Sequence, residues 1–231
     1  MYYGYGIGGA GYYLAALALM VLSMVVSGMV KGRYNRYRGV AATYTGAQAA
    51  ERILRANGLM DVEIRPVSGT LTDNYNPMNR TLNLSDDVYN SNSVSAVCVA
   101  AHECGHAIQH AQNYFPLMIR KSIVPVANVC SSISYVLILL GMFLQSFGFL
   151  IDLGVILFSV VVLVHIVTLP VELNASRRAL AQVRDLGIIR DDDDLAKGRK
   201  VLTAAACTYF VSLLSALVQL LRLVNIARRR R

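Results

Sequence analysis

Charged residues are scarce in this sequence, and acidic residues are the scarcest. Asp, Glu, Lys and Arg together make up 16% of the 231 residues, whereas 55% are hydrophobic. Ordinary soluble domains carry about 25% charged residues, so the composition excludes that class. The basic residues that give the net charge of +8 flank apolar stretches and form no patch interleaved with aromatic side chains. They therefore indicate a lipid bilayer as partner and argue against nucleic acid.

Paired cysteine spacings and the pattern of a cleavable leader are also missing from the sequence. The four cysteines show no paired spacing, which predicts free thiols facing a reducing compartment rather than a disulfide scaffold. The first apolar stretch, residues 7–30, has no basic segment before it and no clean small-residue cleavage site. It is also too long for the apolar core of a signal peptide. We therefore expect a membrane anchor.

Long apolar stretches, in contrast, are abundant. A bilayer crossing takes about 20 residues, and the stretches long enough are residues 7–30, 123–147, 150–169 and 201–221. They predict an anchor (1–30), an insertion (31–121), a transmembrane hairpin (122–170), a segment with a helix and an acidic loop (171–200), and a C-terminal membrane helix with a basic tail (201–231). Clusters of Lys and Arg follow the first and third stretches and precede the second and fourth. The positive-inside rule therefore predicts a multi-pass protein with its insertion in the cytoplasm.

The last apolar stretch allows two interpretations. Thr208, Ser212, Ser215, Gln219 and Arg222 recur at helical spacing and form a polar stripe, which is typical of a helix packed against protein. The same stripe fits a helix lying in the membrane interface, with the arginine tail at residues 228–231 on anionic headgroups. A spanning helix is favoured, although the tail would then lie outside. The second and third stretches are expected to meet in a short turn at residues 146–148.

Residues 102–106 read His-Glu-Cys-Gly-His, the H-E-x-x-H arrangement of zinc hydrolases. On a helix, His102 and His106 share one face and can reach one metal ion. Glu103 is placed to take a proton from a metal-activated water without being a ligand. An apolar lead-in follows Ser93, a predicted N-cap, so the motif is expected inside a helix that runs to about Ala111.

A catalytic zinc ion needs a third protein ligand, which this helix does not supply. The spacing that would bring another His from the same segment is absent, because glutamines occupy the places in question. Glu172 is a candidate on a separate helix, which Pro170 is expected to begin. Ser176, one turn further on, could hydrogen-bond a ligand His. Spacing alone is equally compatible with a solvated carboxylate at the exit of a membrane helix.

The insertion predicts a small α+β unit. Thr45 and Gln48 form a capping box before a helix over residues 47–56, and residues 62–67 and 80–85 alternate as strands. We expect these strands to pair in a short antiparallel sheet that leads into the metal-binding helix. The second strand is either purely structural or aligns an extended substrate by main-chain hydrogen bonds. The residues that would do so are Thr81, Leu82, Asn83 and Leu84.

Several segments resemble the YugP-type neutral zinc metallopeptidase family of bacterial membranes. The likeness extends from about Gly46 to Leu223, and it rests on residues 71–77, 84–85, 100–109, 124–128, 168–179 and 204–209. That family resembles the HtpX-like membrane peptidases, whose third zinc ligand is a Glu in an E-x-x-x-D pattern. The resemblance implies Glu172 as the third ligand, with Ser176 in the place of the Asp. The chain departs from the family at Asn74 and Asn76, where His and Asp are usual.

Together, the residues and the resemblance predict a mainly α membrane protein. We expect about four transmembrane or membrane-associated helices and a small gluzincin-like zinc-peptidase domain at the membrane surface. The resemblance implies an endopeptidase of the bacterial cell membrane that binds one Zn²⁺ through His102, His106 and Glu172, with Glu103 as general base. Its substrate would be a peptide or protein, membrane proteins included.

The group that stabilises the oxyanion stays open at this point. Arg178, Tyr209 and His110 are candidates, and each could equally be solvated or serve in packing. Two other functions also stay open. An intramembrane protease of the site-2 type would need the metal-binding helix buried in lipid, and a non-catalytic membrane scaffold would retain zinc for structure alone. The sequence gives no indication of the oligomeric state.

Overall fold

The computed structural model of the chain describes residues 10–144 and 147–229. Within these residues the helices are α1 (Ala10–Arg38), α2 (Gly46–Ala56), α3 (Asp86–Tyr89), α4 (Val94–Ala111), α5 (Phe115–Phe143), α6 (Phe149–Asp185) and α7 (Asp192–Arg228). The strands are β1 (Glu63–Val67), β2 (Asn74–Asn76) and β3 (Thr81–Ser85). The predicted turn at residues 146–148 and the arginine tail lie partly outside the described residues.

The chain folds as two compact units. Among the described residues, the apolar unit comprises residues 10–25, 118–144, 147–169 and 208–229, and the mixed unit comprises residues 26–117 and 170–207. The helices α1, α5, α6 and α7 each begin in one unit and end in the other, whereas α2, α3, α4 and the strands belong to the mixed unit alone. The mixed unit therefore combines most of the predicted insertion with residues 170–207.

Four helices, α1, α5, α6 and α7, are long and apolar enough to cross a membrane. They carry large exposed hydrophobic side chains, such as Leu139, Leu163 and Leu217, which a bilayer would cover. α6 and α7 each contain 37 residues. That is about 55 Å at the helical rise, which exceeds the thickness of about 30 Å of a hydrocarbon core. The predicted class, a mainly α membrane protein with about four such helices, is confirmed.

Pro170 does not begin a helix, contrary to the prediction. α6 runs unbroken from Phe149 to Asp185 with Pro170 inside it, and the boundaries predicted at residues 170 and 200 both fall within helices. The proline ring removes one backbone hydrogen bond, but apolar helices tolerate this where neighbouring groups satisfy the freed carbonyl. The acidic run at residues 191–194 opens α7, where its carboxylates meet the positive end of the helix dipole.

Glycines bring α5 and α6 close together within the apolar unit. A Cβ at Gly141 would lie 2.7 Å from Ile151 Cγ1, and one at Gly154 would lie 2.5 Å from Ile138 Cγ1. Ser134 Oγ donates a hydrogen bond to Gly154 O at 2.8 Å. Small residues at a helix interface allow the backbones to approach closely, which is how helices associate in lipid. The two helices therefore pack closely against each other along their small residues.

The polar stripe on α7 is used partly in packing. Tyr12 Oη donates a hydrogen bond to Gln219 Oε1 at 2.8 Å, and the Arg222 guanidinium lies 4.3 Å from the centre of the Tyr12 ring. Ser212 and Ser215 bond instead to carbonyls of their own helix. These contacts to α1 favour the packing interpretation of the stripe.

Side-chain caps begin two helices of the mixed unit, α2 and α4, at the predicted places. Thr45 and Gln48 form the predicted capping box, in which each side chain accepts from the backbone N–H of the other residue. Ser93 Oγ accepts from Ala96 N at 3.2 Å and caps α4. Each cap satisfies N–H groups that a helix start leaves without partners. The first turn of α4 is thereby set, and with it the direction in which the motif at residues 102–106 faces.

The sheet is mixed rather than antiparallel. Its order is β1-β3-β2, with β1 parallel to β3 and β2 antiparallel to β3. The predicted antiparallel pairing of residues 62–67 with residues 80–85 is wrong, because β2 adds a second chain reversal between them. Leu82 and Leu84 of β3 are fully buried, together with Ile53 of α2 and Val97 of α4. One face of the sheet and these two helices therefore enclose the core of the unit.

Candidate metal centre

Helix α4 presents two imidazoles on one face. His102 and His106 lie one turn apart, with their ring centres separated by 4.8 Å and their planes nearly perpendicular. The turns that precede them, from Val94 to Ala101, are almost entirely buried, so the helix is anchored in the core up to the motif. This anchoring is a local consequence of the apolar lead-in and the Ser93 cap.

Helix α6 brings Glu172 to the same place. A Cβ at Gly105 would lie 2.6 Å from Ala175 O, so the absence of a side chain there allows α4 and α6 to touch. Glu172 is 2% exposed, and its Oε2 lies 3.3 Å from His102 Nε2 and 3.5 Å from His106 Nε2. The structure thus brings together the three residues that the sequence analysis put forward as ligands.

The spacing of these atoms fits a shared metal ion better than a direct ion pair. Charge-assisted N–H···O bonds measure about 2.7–2.9 Å, which is shorter than either contact. Two ligand atoms at about 2.05 Å from a tetrahedral centre stand roughly 3.3–3.4 Å apart, close to the observed 3.3 and 3.5 Å. Two imidazole nitrogens and one carboxylate are also a donor set that zinc prefers. His102, His106 and Glu172 could therefore hold Zn²⁺.

Each imidazole is oriented through its other nitrogen. His102 Nδ1 shares a hydrogen bond with Ser176 Oγ at 3.1 Å, and His106 Nδ1 shares one with Gln109 Oε1 at 3.1 Å. Both Nε2 atoms are thereby left to face Glu172. Such outer partners fix ring orientation and tautomer at metal sites. Ser176 lies where the sequence analysis expected it, beside a candidate ligand His.

Gln109 is the functional residue that the sequence reasoning missed. It is fully buried, and its Nε2 donates to Val171 O and to Asn174 Oδ1, both at 2.9 Å. Because these acceptors fix the direction of the amide, its Oε1 must accept from His106 Nδ1–H, which leaves His106 Nε2 without a proton. The available signal was a polar residue three positions after a ligand His, on the same helical face.

Glu103 is held beside the ligands by the sheet. Tyr75 N of β2 donates to Glu103 Oε2 at 3.0 Å, and the side chain is mostly buried. Burial raises the pKa of the Glu103 carboxyl, although His102 and His106 act in the opposite direction.

The candidates for oxyanion stabilisation are placed differently from one another. His110 Nδ1 shares a hydrogen bond with Tyr75 Oη at 2.9 Å and is not in the candidate ligand group. Arg178 is engaged in packing, because its Nε donates to Asn174 Oδ1 at 2.7 Å and its Nη1 to Gln112 Oε1 at 2.6 Å. Tyr209 belongs to the apolar unit. The role of each in the chemistry stays a prediction.

The predicted substrate-aligning strand is in the wrong position for that task. Thr81, Leu82, Asn83 and Leu84 form the centre of the sheet, where β1 pairs along their whole length and β2 pairs along residues 81–83. A strand paired on both sides has no free edge to which a peptide could add. Strand β2, an edge strand of three polar residues, is the one that borders Glu103. The expected role of β3 is therefore wrong.

Comparison with known proteins defines the class to which this fold and site belong. A family model described as "Putative neutral zinc metallopeptidase" matches residues 12–228. The chain belongs to this family of zinc metallopeptidases. A curated protein, "Putative membrane protease YugP" of Bacillus subtilis (strain 168), is 46% identical over 212 residues, which are 91% of this chain and 93% of that protein. No solved structure matches the chain. The family resemblance expected from the sequence is confirmed.

Proposed function

We propose that the protein is a multi-pass, zinc-dependent endopeptidase that hydrolyses peptide bonds at the cytoplasmic face of the membrane. The observation that carries this proposal is the convergence of His102, His106 and Glu172, whose candidate ligand atoms all lie within 4.8 Å of one another. The family's description supports both the metal and the reaction class. Two His from an H-E-x-x-H helix and a Glu from a later helix correspond to the His₂Glu zinc set of gluzincins.

One bound zinc ion would supply a Lewis acid that polarises the scissile carbonyl and makes the attacking water more acidic. Glu103 accepts the proton of that water and later donates it to the leaving amine. The raised pKa of its buried carboxyl suits this exchange, since a general base works best when its pKa approaches the working pH. Tyr75 N holds Oε2 of Glu103, so we assign the proton transfer to Oε1.

The membrane arrangement supports activity at its surface. Glu172 follows residue 169, where the apolar stretch of α6 ends, and α6 is longer than a bilayer crossing requires. The Lys and Arg clusters at residues 31–38, 120–121, 177–178 and 197–200 would share one side if each span crosses once. By the positive-inside rule that side is cytoplasmic. An extended segment of a peptide or protein substrate would lie against β2 rather than β3.

Metal analysis of purified variants tests this function. We expect about one zinc per chain in the wild type, little in Glu172→Ala, and retained zinc in Glu103→Gln. A peptidase assay in detergent should show both variants inactive, with a loss of about 10²–10⁴ in Glu103→Gln from removal of the general base. Full zinc content in Glu172→Ala would rule out the ligand set. Normal activity in Glu103→Gln would rule out the mechanism.

Two other functions predict different results. An intramembrane protease needs its metal-binding helix in lipid, but α4 is not among the described helices apolar and long enough to span, and it packs on α2. Labelling of Asn79→Cys, at an exposed turn, should succeed only after the cytoplasmic face is opened. A scaffold with structural zinc would keep its cellular phenotype in Glu103→Gln, whereas a peptidase would lose it.

A further inference from the structure

A cleft between α6 and α7 lies within the mixed unit, next to the candidate metal centre. Its volume is about 490 Å³, and its lining combines two kinds of side chain. Three are arginines, Arg177, Arg184 and Arg199, and most of the others are apolar. Ser176 also lines the cleft, so a bound molecule would lie one side chain away from His102.

The positive charge of the cleft is not compensated locally. No Asp or Glu lines it, and none of the ion pairs found among residues 10–144 and 147–229 involves its three arginines. The nearby carboxylates Asp193 and Asp194 are already paired with Lys197, at 2.9 and 2.7 Å. Three guanidinium groups around one cavity are a strong attractor for a phosphate, which they can bind through paired N–H groups.

The apolar part of the lining favours a hydrocarbon chain, in contrast to the arginines. Leu195 and Leu202 form a buried floor, whereas Leu173 is 39% exposed at the end of the cleft towards the apolar stretch of α6. On α7 the lining ends at Ala206, inside the apolar stretch at residues 201–221. The cleft therefore follows both helices from polar into apolar sequence. A ligand that fits it has an anionic head and a hydrocarbon continuation.

We propose that this cleft binds an anionic phospholipid, with the phosphate on the three arginines and the first part of an acyl chain on the leucines. Basic pockets between membrane helices on the cytoplasmic side are a recurring means of binding anionic lipid headgroups. The proposal rests on the membrane arrangement given above but not on peptidase activity. A soluble phosphate or an acidic peptide would use the arginines without needing the apolar floor, which is why the lipid is favoured.

The absence of tryptophan from the chain allows a direct test. Thr203→Trp places one fluorophore at an exposed position in the cleft. The full chain, carrying Glu103→Gln and zinc, is placed in phosphatidylcholine nanodiscs with graded amounts of brominated phosphatidylglycerol or brominated phosphatidylcholine. We expect brominated phosphatidylglycerol to quench the fluorescence at a mole fraction at least tenfold lower than brominated phosphatidylcholine requires. Native mass spectrometry of the chain that retains Thr203 should detect the bound phosphatidylglycerol independently of the tryptophan.

Two triple variants assign the preference to the cleft. Replacing Arg177, Arg184 and Arg199 by Gln should abolish it, with about a fivefold loss for each arginine. Replacing Lys31, Arg36 and Lys121 by Gln removes the same charge from exposed positions beside other spans and should leave the preference unchanged.

Each remaining outcome decides against the lipid site. Equal quenching by both lipids, or a preference that survives in the cleft triple variant, would overturn it. Displacement of the lipid by millimolar inorganic phosphate would indicate a simple anion site, and displacement by a glutamate-rich peptide would indicate a substrate groove. Because binding is measured in Glu103→Gln, failure of the peptidase proposal leaves this result intact, and the reverse also holds.

Discussion

Serine side chains serve mostly different purposes in the two compact units. In the apolar unit, Ser132 and Ser212 each donate to the carbonyl four residues earlier in their own helix, and Ser134, which bonds Gly154 O on another helix, is the exception. In the mixed unit, Ser95 donates to a carbonyl of α1 and Ser176 bonds His102 on another helix. The first kind of bond satisfies a hydroxyl without fixing how helices meet. The second kind specifies tertiary structure, so polar substitutions should have larger effects in the mixed unit.

Close helix contacts give the strongest test, because both units contain one. Gly105→Val would push Cβ to 2.6 Å from Ala175 O, and Gly154→Val would push it to 2.5 Å from Ile138 Cγ1. Each variant should lose about 1–3 kcal/mol of stability through overpacking. Gly105→Val should be the worse of the two, since its Cβ meets backbone atoms alone, the nearest at 2.6 Å, whereas the backbone atom nearest to a Cβ at Gly154 is Ser134 O at 2.9 Å and its closest neighbour is a side chain that can move. It should also lose most of its zinc by separating α4 from α6.

The control for this pair is Gly32→Val, where a Cβ meets nothing within 4 Å. Thermal unfolding and zinc content should both stay close to the wild type, apart from small propensity effects. If Gly154→Val loses zinc as completely as Gly105→Val, the units do not act separately and the comparison fails.

Gln109→Met tests a polar link at nearly constant side-chain volume. The variant loses the acceptor for His106 Nδ1–H and both donors to α6. We expect zinc affinity to fall about 10–100-fold, as is usual for an outer partner of a ligand His. Competition with a chelator of known affinity measures this in the folded protein, so that loss of stability is recorded separately.

Gln112→Met is the matched control on the same helix end. Gln112 is exposed and accepts one bond from Arg178, so zinc affinity should hardly change. Equal losses in the two variants would show that Gln109 acts through general stability and not through His106.

Local signals and long-range contacts explain which features the sequence could predict. The Ser93 cap, the Thr45 capping box and the shared face of His102 and His106 all depend on residues within a few positions, and the structure has them where expected. The strand β2 could not be predicted from alternation because it is three residues long. Because β2 was not predicted, the relative direction of β1 and β3 was predicted as antiparallel, whereas the two strands are parallel.

The third candidate ligand required more than local signals. Spacing left Glu172 equally compatible with a solvated carboxylate, and only the family resemblance favoured it. The features that bring it to the histidines are a missing side chain at Gly105 and the bonds of Gln109 to Val171 and Asn174. Neither feature has a periodic pattern, so the contact becomes visible only when the two helices are seen together.

Two substitutions, Ser176→Ala in the mixed unit and Ser212→Ala in the apolar unit, compare one hydroxyl from each. Ser176→Ala removes the hydrogen bond to His102 Nδ1, worth about 1 kcal/mol or roughly a fivefold loss of zinc affinity. Ser212→Ala removes a bond within α7 and should leave zinc affinity unchanged. An equal effect of both substitutions, measured by the same chelator competition, would remove the distinction between the units.

The smallest expected effect is a change in pH dependence. Asp73 joins β2 to the end of β3, because its Oδ1 accepts from Ser85 N at 2.8 Å and from Ser85 Oγ at 3.1 Å. Burial raises the pKa of Asp73 above its ordinary value of 3.8, and these hydrogen bonds oppose the rise only in part. The folded protein therefore holds this proton more tightly than the unfolded chain. The stability that results is complete below pH 3.8 and is lost as pH rises through the folded pKa.

Asp73→Asn keeps an acceptor for Ser85 and removes the titration. Its unfolding temperature is measured by calorimetry in detergent. We expect the difference between the variant and the wild type to shift in favour of the variant as pH rises from about 3.5 to 6. Asp61 provides the opposite sign, since the hydrogen bond from Arg80 lowers its pKa. Asp61 therefore stabilises the fold above pH 3.8, and this contribution is lost as pH falls. The unfolding temperature of Asp61→Asn should fall relative to that of the wild type over the same rise in pH. Parallel curves for the two variants would mean that burial of Asp73 does not govern its titration, and that its bonds to Ser85 outweigh the loss of water.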